Sequence, residues 1–322
     1  AGAGTGKTMT LAHRVAHLII EGVNPERILL LTFTRRASQE MTRRVESIVR
    51  TSTRDAMPLP AGGLPWSGTF HSIANRLLRR FAQNLGLDPG FSVLDRGDAA
   101  DMIDVVRHEQ KLTRTSRRFP KKDTCLAIYS RCVNTQRPLA ETLDKTYPWC
   151  ADWTDELAAL FRHYVQRKQQ SQSLDYDDLL LYWSHLVAEP EFAEEIGSWF
   201  DHVLVDEYQD TNLVQAQILN ALKPDGSGVT VVGDDAQSIY SFRAAEVENI
   251  LGFPDQYMPS AKVITLEQNY RSTQPLLDSA NCLIAESERQ YRKNLYSERQ
   301  DGGKPRYITV EDGDAEAEYV VT

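Results

Sequence analysis

The sequence has few of the residues from which metal centres and disulfide frameworks are built. Four cysteines occur in 322 residues, without the paired spacing of a zinc site, and the seven histidines form no HExxH motif. The cysteines are Cys125, Cys132, Cys150 and Cys282. We therefore expect reduced, structural cysteines in a cytosolic protein, and no metal held by clusters of such side chains.

Long apolar runs and excess positive charge are also missing. No run approaches the roughly 20 apolar residues that cross a membrane, so we expect no membrane partner. The net charge is −9, which by itself does not indicate nucleic acid, although binding depends on where the cations lie. One basic cluster lies between Arg107 and Lys122 and another between Arg35 and Arg50. Each is equally compatible with a solvated face.

The first eight residues, AGAGTGKT, have the pattern of a phosphate-binding loop. In such a loop glycines turn backbone N–H groups toward phosphate, the lysine reaches the β- and γ-phosphates, and the next hydroxyl ligates Mg²⁺. Here the pattern ends in Lys7 and Thr8, and Ala1 stands where the strict pattern asks for glycine. A flexible glycine-rich terminus is the alternative, and the segments that follow argue against it.

Helix and strand signals alternate after the loop, as in a parallel α/β domain. Apolar residues at i, i+4, i+7 and i+8 from Leu11 to Ile19 predict a buried helix, and the apolar run Arg27–Thr34 predicts a strand covered on both faces. Further strands are predicted at His202–Glu207, Gly228–Asp235, Ala261–Glu267 and Pro305–Glu311.

Residues from about Phe81 to Gln170 show only helical periodicity. The sequence therefore predicts an α/β fold in which 1–80 and 175–260 form a P-loop NTPase domain with a parallel sheet. The residues between, 81–174, are predicted to form an inserted all-helical domain.

Two carboxylates end a predicted strand in the segment VLVDEYQDTN, Asp206 and Glu207. In P-loop NTPases a strand-end aspartate holds Mg²⁺, and a neighbouring glutamate can deprotonate the attacking water. Adjacent strand side chains point to opposite faces, so the two acids can divide these roles if the chain bends there. An ordinary acidic turn is the alternative, which the phosphate-binding loop disfavours.

The next predicted strand leads into VVGDDAQSIYSFRAA. The amide of Gln237 could contact a γ-phosphate, since it both donates and accepts hydrogen bonds. Tyr240, Phe242 and Arg243 suit base stacking with a phosphate contact, a sequence-tolerant way to bind single strands. As an isolated cluster, the two aromatic residues would more often belong to a core.

A last segment, LEQNYRST, contains Tyr270 and Arg271. A tyrosine ring can stack on adenine, and a guanidinium can neutralise charge that develops on a γ-phosphoryl group. These two residues are therefore candidates for nucleotide contacts.

Six segments in this order resemble the motifs of the UvrD/Rep/PcrA-type superfamily 1A DNA helicases. They are AGAGTGKT, LTFTRRASQEM, GTFHSIANRLLRR, VLVDEYQDTN, VVGDDAQSIYSFRAA and LEQNYRST. The resemblance covers nearly all of the chain and is weakest in the helical insert. It implies a RecA-like domain at 1–80 and 175–260, the beginning of a second RecA-like domain at 261–322, and ATP with Mg²⁺ as cofactors.

The resemblance also implies a role for each matched residue. It implies nucleotide binding by Ala1, Gly2, Ala3, Gly4, Thr5, Gly6, Lys7, Thr8 and Tyr270, and Mg²⁺ ligation by Thr8 and Asp206. It implies catalytic roles for Lys7, Glu207, Gln237 and Arg271. It implies contacts with single-stranded DNA by Phe33, Thr34, His71, Tyr240, Phe242 and Arg243. Two departures are Met9, where relatives often have arginine near the base, and Phe242, where many have tryptophan.

The function that the resemblance implies is ATP-dependent DNA helicase or translocase activity in repair, replication or recombination. Movement is 3′ to 5′ by analogy, with single-stranded DNA and DNA junctions as partners in a bacterial cytosol, at the nucleoid. Repair or replication proteins are further possible partners. The family has motifs before the loop and after Thr322, so we expect a piece of a longer protein, weakly active or inactive by itself. The alternatives are the motor of a helicase–nuclease subunit and a nucleotide- and DNA-binding module without turnover.

Overall fold

The computed structural model describes residues 1–52, 63–112 and 118–321. They divide into two compact units. The sheet unit comprises Thr8–Val263, and the terminal unit comprises Ala1–Lys7 together with Ile264–Thr322. The phosphate-binding loop thus belongs to the same compact unit as the segment that contains Tyr270 and Arg271.

The strands, in chain order, are β1 (Ile28–Thr32), β2 (Ser67–Thr69), β3 (Ser92–Val93), β4 (Ser173–Leu174), β5 (His202–Val205) and β6 (Val229–Val231). The helices begin with α1 (Lys7–Ile20), α2 (Arg35–Ser52), α3 (Phe70–Arg80), α4 (Arg96–Glu109), α5 (Lys122–Thr135), α6 (Leu139–Thr146) and α7 (Thr154–Gln170). They continue with α8 (Tyr176–Ala188), α9 (Pro190–Ser198), α10 (Leu213–Leu222), α11 (Glu248–Leu251), α12 (Gln274–Ala285) and α13 (Gly313–Val321).

Four strands form a parallel sheet in the order β2-β1-β5-β6. β1 lies between β2 and β5, with Ile28 opposite His202, and β6 pairs with the far side of β5. Because all four strands run in the same direction, their carboxyl ends meet at one edge of the sheet. The parallel α/β architecture predicted from the sequence is confirmed.

The sheet is covered on both faces, which is why β1 consists of five buried residues. On one face α1 and α2 contribute a core that includes Leu11, Val15, Met41 and Val45. Elsewhere in the unit α8 packs against α3 and α10. The apolar spacing in α1 therefore predicted its buried side correctly.

The segment from α4 to α7 builds a separate apolar core. Ile103, Ile128, Leu143 and Leu160 are fully buried in it, one from each of the four helices. The short strands β3 and β4 pair with each other where the chain enters and leaves this segment. The domain bounds 1–80 plus 175–260, 81–174 and 261–322 stay a prediction. Within the described residues, no helix is both long and apolar enough to cross a membrane.

A buried charge cluster joins the end of α7 to the start of α8. The ammonium of Lys168, 2% exposed, contacts the carboxylates of Asp175 and Asp178, each at 2.6 Å. The hydroxyl of Tyr164 donates to Asp175 at 2.7 Å. Burial acts to lower the pKa of Lys168, but the two carboxylates outweigh it and hold that pKa above its usual value. Asp175 also caps the N-terminus of α8.

Two predicted strands do not form. The segments Ala261–Glu267 and Pro305–Glu311 contain no strand, and the nearest ladder contact is an isolated bridge between Gln268 and Tyr296. Apolar alternation was the signal for both, but a strand needs a neighbour with which to exchange hydrogen bonds. Val263 and Ile264, which the pattern placed in a sheet, are 52% and 70% exposed.

We predict that Lys168→Met destabilises the protein by about 3 to 5 kcal/mol, because it leaves two buried carboxylates without their cation. The free energy of unfolding from urea denaturation measures the effect. Lys145 offers the matched control, since it pairs with Glu141 at 2.8 Å but its side chain is 60% exposed. Lys145→Met should cost less than about 1 kcal/mol. Equal losses for the two variants would contradict the importance of the buried cluster.

Candidate nucleotide and nucleic-acid site

The loop at residues 1–8 has the backbone geometry of a phosphate cradle. Gly4 and Gly6 adopt φ values of 79° and 83°, which residues with a Cβ rarely adopt. The hydroxyl of Thr5 donates to the carbonyl of Gly2 at 2.8 Å and closes the turn. Helix α1 begins at Lys7, so its free N–H groups and positive end belong to the same loop.

Lys7 is buried, and its ammonium donates back to the carbonyl oxygen of Gly2 at 3.4 Å. This is the long end of the range for a hydrogen bond, so a phosphate oxygen would be a stronger partner. The donors of this loop therefore fit a polyphosphate. Thr8, for which the sequence predicts Mg²⁺ ligation, is the second residue of α1.

The segment around Tyr270 and Arg271 contacts the loop within the terminal unit. The N–H of Tyr270 donates to the carbonyl of Gly4 at 3.0 Å. The side-chain amide of Asn269 donates to the carbonyl of Ala3 at 2.5 Å. A Cβ at Gly4 would lie 2.7 Å from the Cβ of Arg271, so this approach also requires glycine. The ring of Tyr270 is 66% exposed, which leaves a face for stacking.

The two acids lie where β5 ends. Asp206 is buried, and its N–H donates to Leu31 on β1 at 2.9 Å. Glu207 adopts φ 50° and ψ 48°, a left-handed conformation that turns the chain out of the strand. The bend on which the division of roles between the two acids depends is therefore present. Strain of this kind in a residue other than glycine is common at active sites.

The carboxyl end of β6 leads into a short turn that holds Gln237. The amide of Gln237 donates to the carboxylate of Asp234 at 2.5 Å, and a second Asp234 oxygen accepts from the N–H of Ala236 at 3.2 Å. Gln237 is thus oriented by the turn in which it lies.

A groove of about 1240 Å³ runs along this edge of the sheet unit. Its lining includes the predicted DNA-binding residues Phe33, Thr34, His71 and Phe242, together with Asp206 and Glu207. The rings of Phe33, Tyr240 and Phe242 form a row. The ring centroids of Phe33 and Tyr240 are 4.9 Å apart, and those of Tyr240 and Phe242 are 5.6 Å apart. Phe242 is 68% exposed, so this row is not part of a core. The side chain of Arg243 lies outside the described part of the structure.

His71 lies in this groove against the edge of the Tyr176 ring, with 5.7 Å between centroids. Desolvation lowers the pKa of His71 to about 4. The imidazole is therefore neutral at pH 7, and it offers a ring and a hydrogen bond rather than a charge.

Helices α4 and α5 contribute groove residues that the sequence did not identify. Arg96 and Arg131 line the groove, as does Tyr147 at the end of α6, and Arg131 donates to the carbonyl of Ser241, which lies between Tyr240 and Phe242, at 3.1 Å. The basic run Arg107–Lys122, which drew attention in the sequence, includes residues 113–117, outside the described residues. Arg35 from the other basic cluster does line the groove. A single cation on a helix surface has no sequence pattern that marks it. Arg96 and Arg131 could therefore be identified only from the fold.

The sequence model of the UvrD/REP helicase N-terminal domain matches residues 1–258. The chain belongs to the UvrD/REP helicase family. The model of the UvrD-like helicase C-terminal domain matches residues 264–322. The resemblance seen in the six motifs is thereby confirmed, as is the RecA-like class of fold that it implied.

Relatives of the family are similar over the whole chain. An ATP-dependent DNA helicase PcrA from Staphylococcus epidermidis is 35% identical over 324 residues, which is 100% of this chain and 42% of the relative. A protein of the same name from Bacillus subtilis is 36% identical over 322 residues, 99% of this chain and 41% of the relative. One from Leuconostoc citreum is 34% identical over 328 residues. The chain thus spans about two fifths of the length of these relatives.

We predict that His71 makes stability depend on pH below neutrality. Its pKa of about 4 in the folded state lies below the usual 6.5, so the unfolded chain binds more protons between those values. The free energy of unfolding should therefore fall as the pH falls from about 6.5 toward 4. Comparing urea denaturation of the wild type and His71→Gln isolates this contribution. An identical pH slope in both proteins would contradict the burial of a neutral ring.

Proposed function

We propose that this chain is part of an ATP-driven DNA helicase that translocates on single-stranded DNA. The observation that carries the proposal is the groove of the sheet unit, where the half-buried ring of Phe33 and the exposed ring of Phe242 line the same edge as the acid pair of β5. The residues for ATP hydrolysis and those for binding single-stranded DNA then lie in loops that follow neighbouring β-strands. Membership of the UvrD/REP helicase family supports this reading.

The loop residues Ala1 to Thr8 would bind the phosphates of ATP through N–H groups and the ammonium of Lys7. Thr8 and Asp206 would hold Mg²⁺, a cation that keeps several waters and takes few protein ligands. Bound Mg²⁺ would neutralise charge that develops between the β- and γ-phosphates.

Glu207 would take the proton from the attacking water, and its left-handed backbone turns the chain out of the strand. Gln237 would contact the γ-phosphate from the turn after β6. Arg271 would neutralise the γ-phosphoryl group, and Tyr270 would stack on adenine. These are roles that the family motifs imply, and the geometry of the bend at Glu207 is compatible with them.

DNA bases would stack on the row formed by Phe33, Tyr240 and Phe242, with Thr34, His71 and Arg243 as polar neighbours. Stacking on such rings is worth about 1 to 3 kcal/mol per base and tolerates any sequence. The cations Arg96 and Arg131, which also line the groove, would contact phosphates. Movement would be 3′ to 5′, with DNA junctions as substrates and repair, replication or recombination as the setting.

Two other functions give different results in a simple assay. The motor of a helicase–nuclease subunit would hydrolyse ATP in the same way and would also cleave DNA. A binding module without turnover would hold nucleotide and DNA but release no phosphate. The acid pair favours turnover, because a binding module has no need of a strained glutamate beside a strand-end aspartate.

We predict that Lys7→Ala abolishes ATP hydrolysis by the protein that carries this chain, because it removes the cation of the phosphate-binding loop. Glu207→Gln should lower kcat by about 10²- to 10⁴-fold and leave ATP binding intact, since only the proton acceptor is lost. Phosphate release and binding of a fluorescent ATP analogue measure the two effects. Glu195→Gln, on the exposed side of α9, is the matched control. Hydrolysis near the wild-type rate in either variant would remove that assignment.

We predict that the charged and the neutral residues of the groove differ in how their loss changes the salt dependence of DNA binding. Arg131→Ala should weaken binding of an oligo-dT and reduce the slope of log K against log salt by about 1, because one phosphate contact is lost. His71→Ala should weaken binding with no change of slope, since the ring is neutral. Fluorescence anisotropy at several salt concentrations gives both slopes. An unchanged slope for Arg131→Ala would exclude its phosphate contact.

A further inference from the structure

In the acidic segment, Asp206–Asp210, the amide side chain of Gln209 is buried, at 1% exposure. It lies in the short 3-10 turn that follows Glu207. Neither the sequence motifs nor the proposed mechanism assigns it a role. A glutamine buried to this degree must satisfy its amide with partners inside the protein.

The partners of this amide fix its orientation. Its nitrogen donates to Glu207 Oε2 and to Asp210 Oδ2, both at 3.1 Å. Its oxygen accepts from the backbone N–H of Asp234 at 2.9 Å. Carboxylates only accept and a backbone N–H only donates, so the reverse orientation would lose all three hydrogen bonds.

Gly233, in the segment after β6, leaves the space that this amide occupies. A Cβ at Gly233 would lie 2.6 Å from Gln209 Oε1 and 2.6 Å from the Cδ1 of Ile250. Contacts this short require a shift of one partner. The glycine of VVGDD is therefore needed for the close approach of the β6 turn to Gln209.

We infer that Gln209 is a positioning residue that orients the carboxylate of Glu207 and ties it to the turn after β6. The inference rests on the proposed role of Glu207 as the base. Asp234, which Gln209 contacts, also accepts the amide hydrogen bond of Gln237. The same stretch of chain continues to Tyr240 and Phe242 in the aromatic row. DNA bound on that row therefore acts on the base through one buried amide.

This arrangement makes the base and the groove interdependent. Without the two amide hydrogens, Glu207 and Asp210 lose a donor that lies between them, and the carboxylate of Glu207 is free to rotate. Without the amide oxygen, the β6 turn loses the hydrogen bond from the N–H of Asp234 and keeps those that join Tyr208 to Val232 and Ser238 to the main-chain carbonyl of Gln209. Loss of Gln209 should thus impair the chemical step and its response to DNA, and leave nucleotide binding unaffected.

The test compares the wild type with Gln209→Met, which keeps the length of the side chain and removes both donor and acceptor. We expect kcat for DNA-stimulated ATP hydrolysis to fall about 10- to 100-fold, as for other residues that orient a reacting group. The KM for ATP should change less than about 3-fold on the same argument. The ratio of the rates with and without oligo-dT should also fall. A wild-type kcat with full stimulation would overturn the inference.

Asn249 provides the matched control. It is also a buried amide, and it donates to the carbonyls of Thr211 and Asn212 at the other end of the same segment. Asn249→Leu should lower the thermal midpoint while keeping kcat and DNA stimulation close to wild type. A purely structural role for Gln209 predicts instead that both variants behave alike, which would overturn the inference.

A double-mutant cycle with Gly233→Ala tests the same contact from the other side. Gly233→Ala alone should lower kcat, because the new methyl group displaces the amide. In the Gln209→Ala background its further effect should be smaller, since the clash with the amide is gone and only the clash with Ile250 remains. Additive losses would exclude the contact as the cause. If Glu207→Gln retains wild-type hydrolysis, the proposed function fails, whereas the Gln209 inference alone fails if only Glu207→Gln is impaired.

Discussion

The sheet unit depends on the parallel pairing of β1 with β5, two strands separated in the sequence by the whole helical segment. Ile28 lies opposite His202, and Leu31 lies opposite Val205. This register brings the chain after β1, with Phe33 and Thr34, beside the acids after β5. With β6 on the far side of β5, the loops of the sheet unit that follow β1, β5 and β6 emerge at one edge. The groove and the acid pair are therefore consequences of one sheet.

The helical segment is attached to that edge by buried polar contacts. Asn212, next to the acidic segment, donates to Asn134 on α5 at 2.6 Å, and Asn134 in turn donates to Asp177 at 2.7 Å. The same helix places Arg131 against the carbonyl of Ser241. Buried networks of this kind specify one arrangement, because each broken bond leaves a desolvated group unpaired. We therefore regard α5 as a fixed wall of the groove.

Much of this could be predicted from the sequence, and the limits have physical causes. The loop at residues 1–8, helix α1 and the strand ends at Asp206 carry local signals in glycine spacing and apolar periodicity. The short strand β2 is too polar to stand out, and Arg96, Arg131 and Gln209 matter through contacts that only the fold creates. The segments at 261–267 and 305–311 show the opposite error. Their apolar alternation predicted strands, but a strand also requires a partner, which a local pattern does not reveal.

We propose that the edge of this sheet couples ATP hydrolysis to single-stranded DNA through the aromatic row. The most direct test is steady-state Mg²⁺-ATP hydrolysis by the protein that carries this chain, with and without oligo-dT, in the wild type and in Phe242→Ala. We expect DNA to stimulate the wild type. Phe242→Ala should keep its rate without DNA and lose most of the stimulation. Hydrolysis that is the same with and without DNA in the wild type would contradict this coupling.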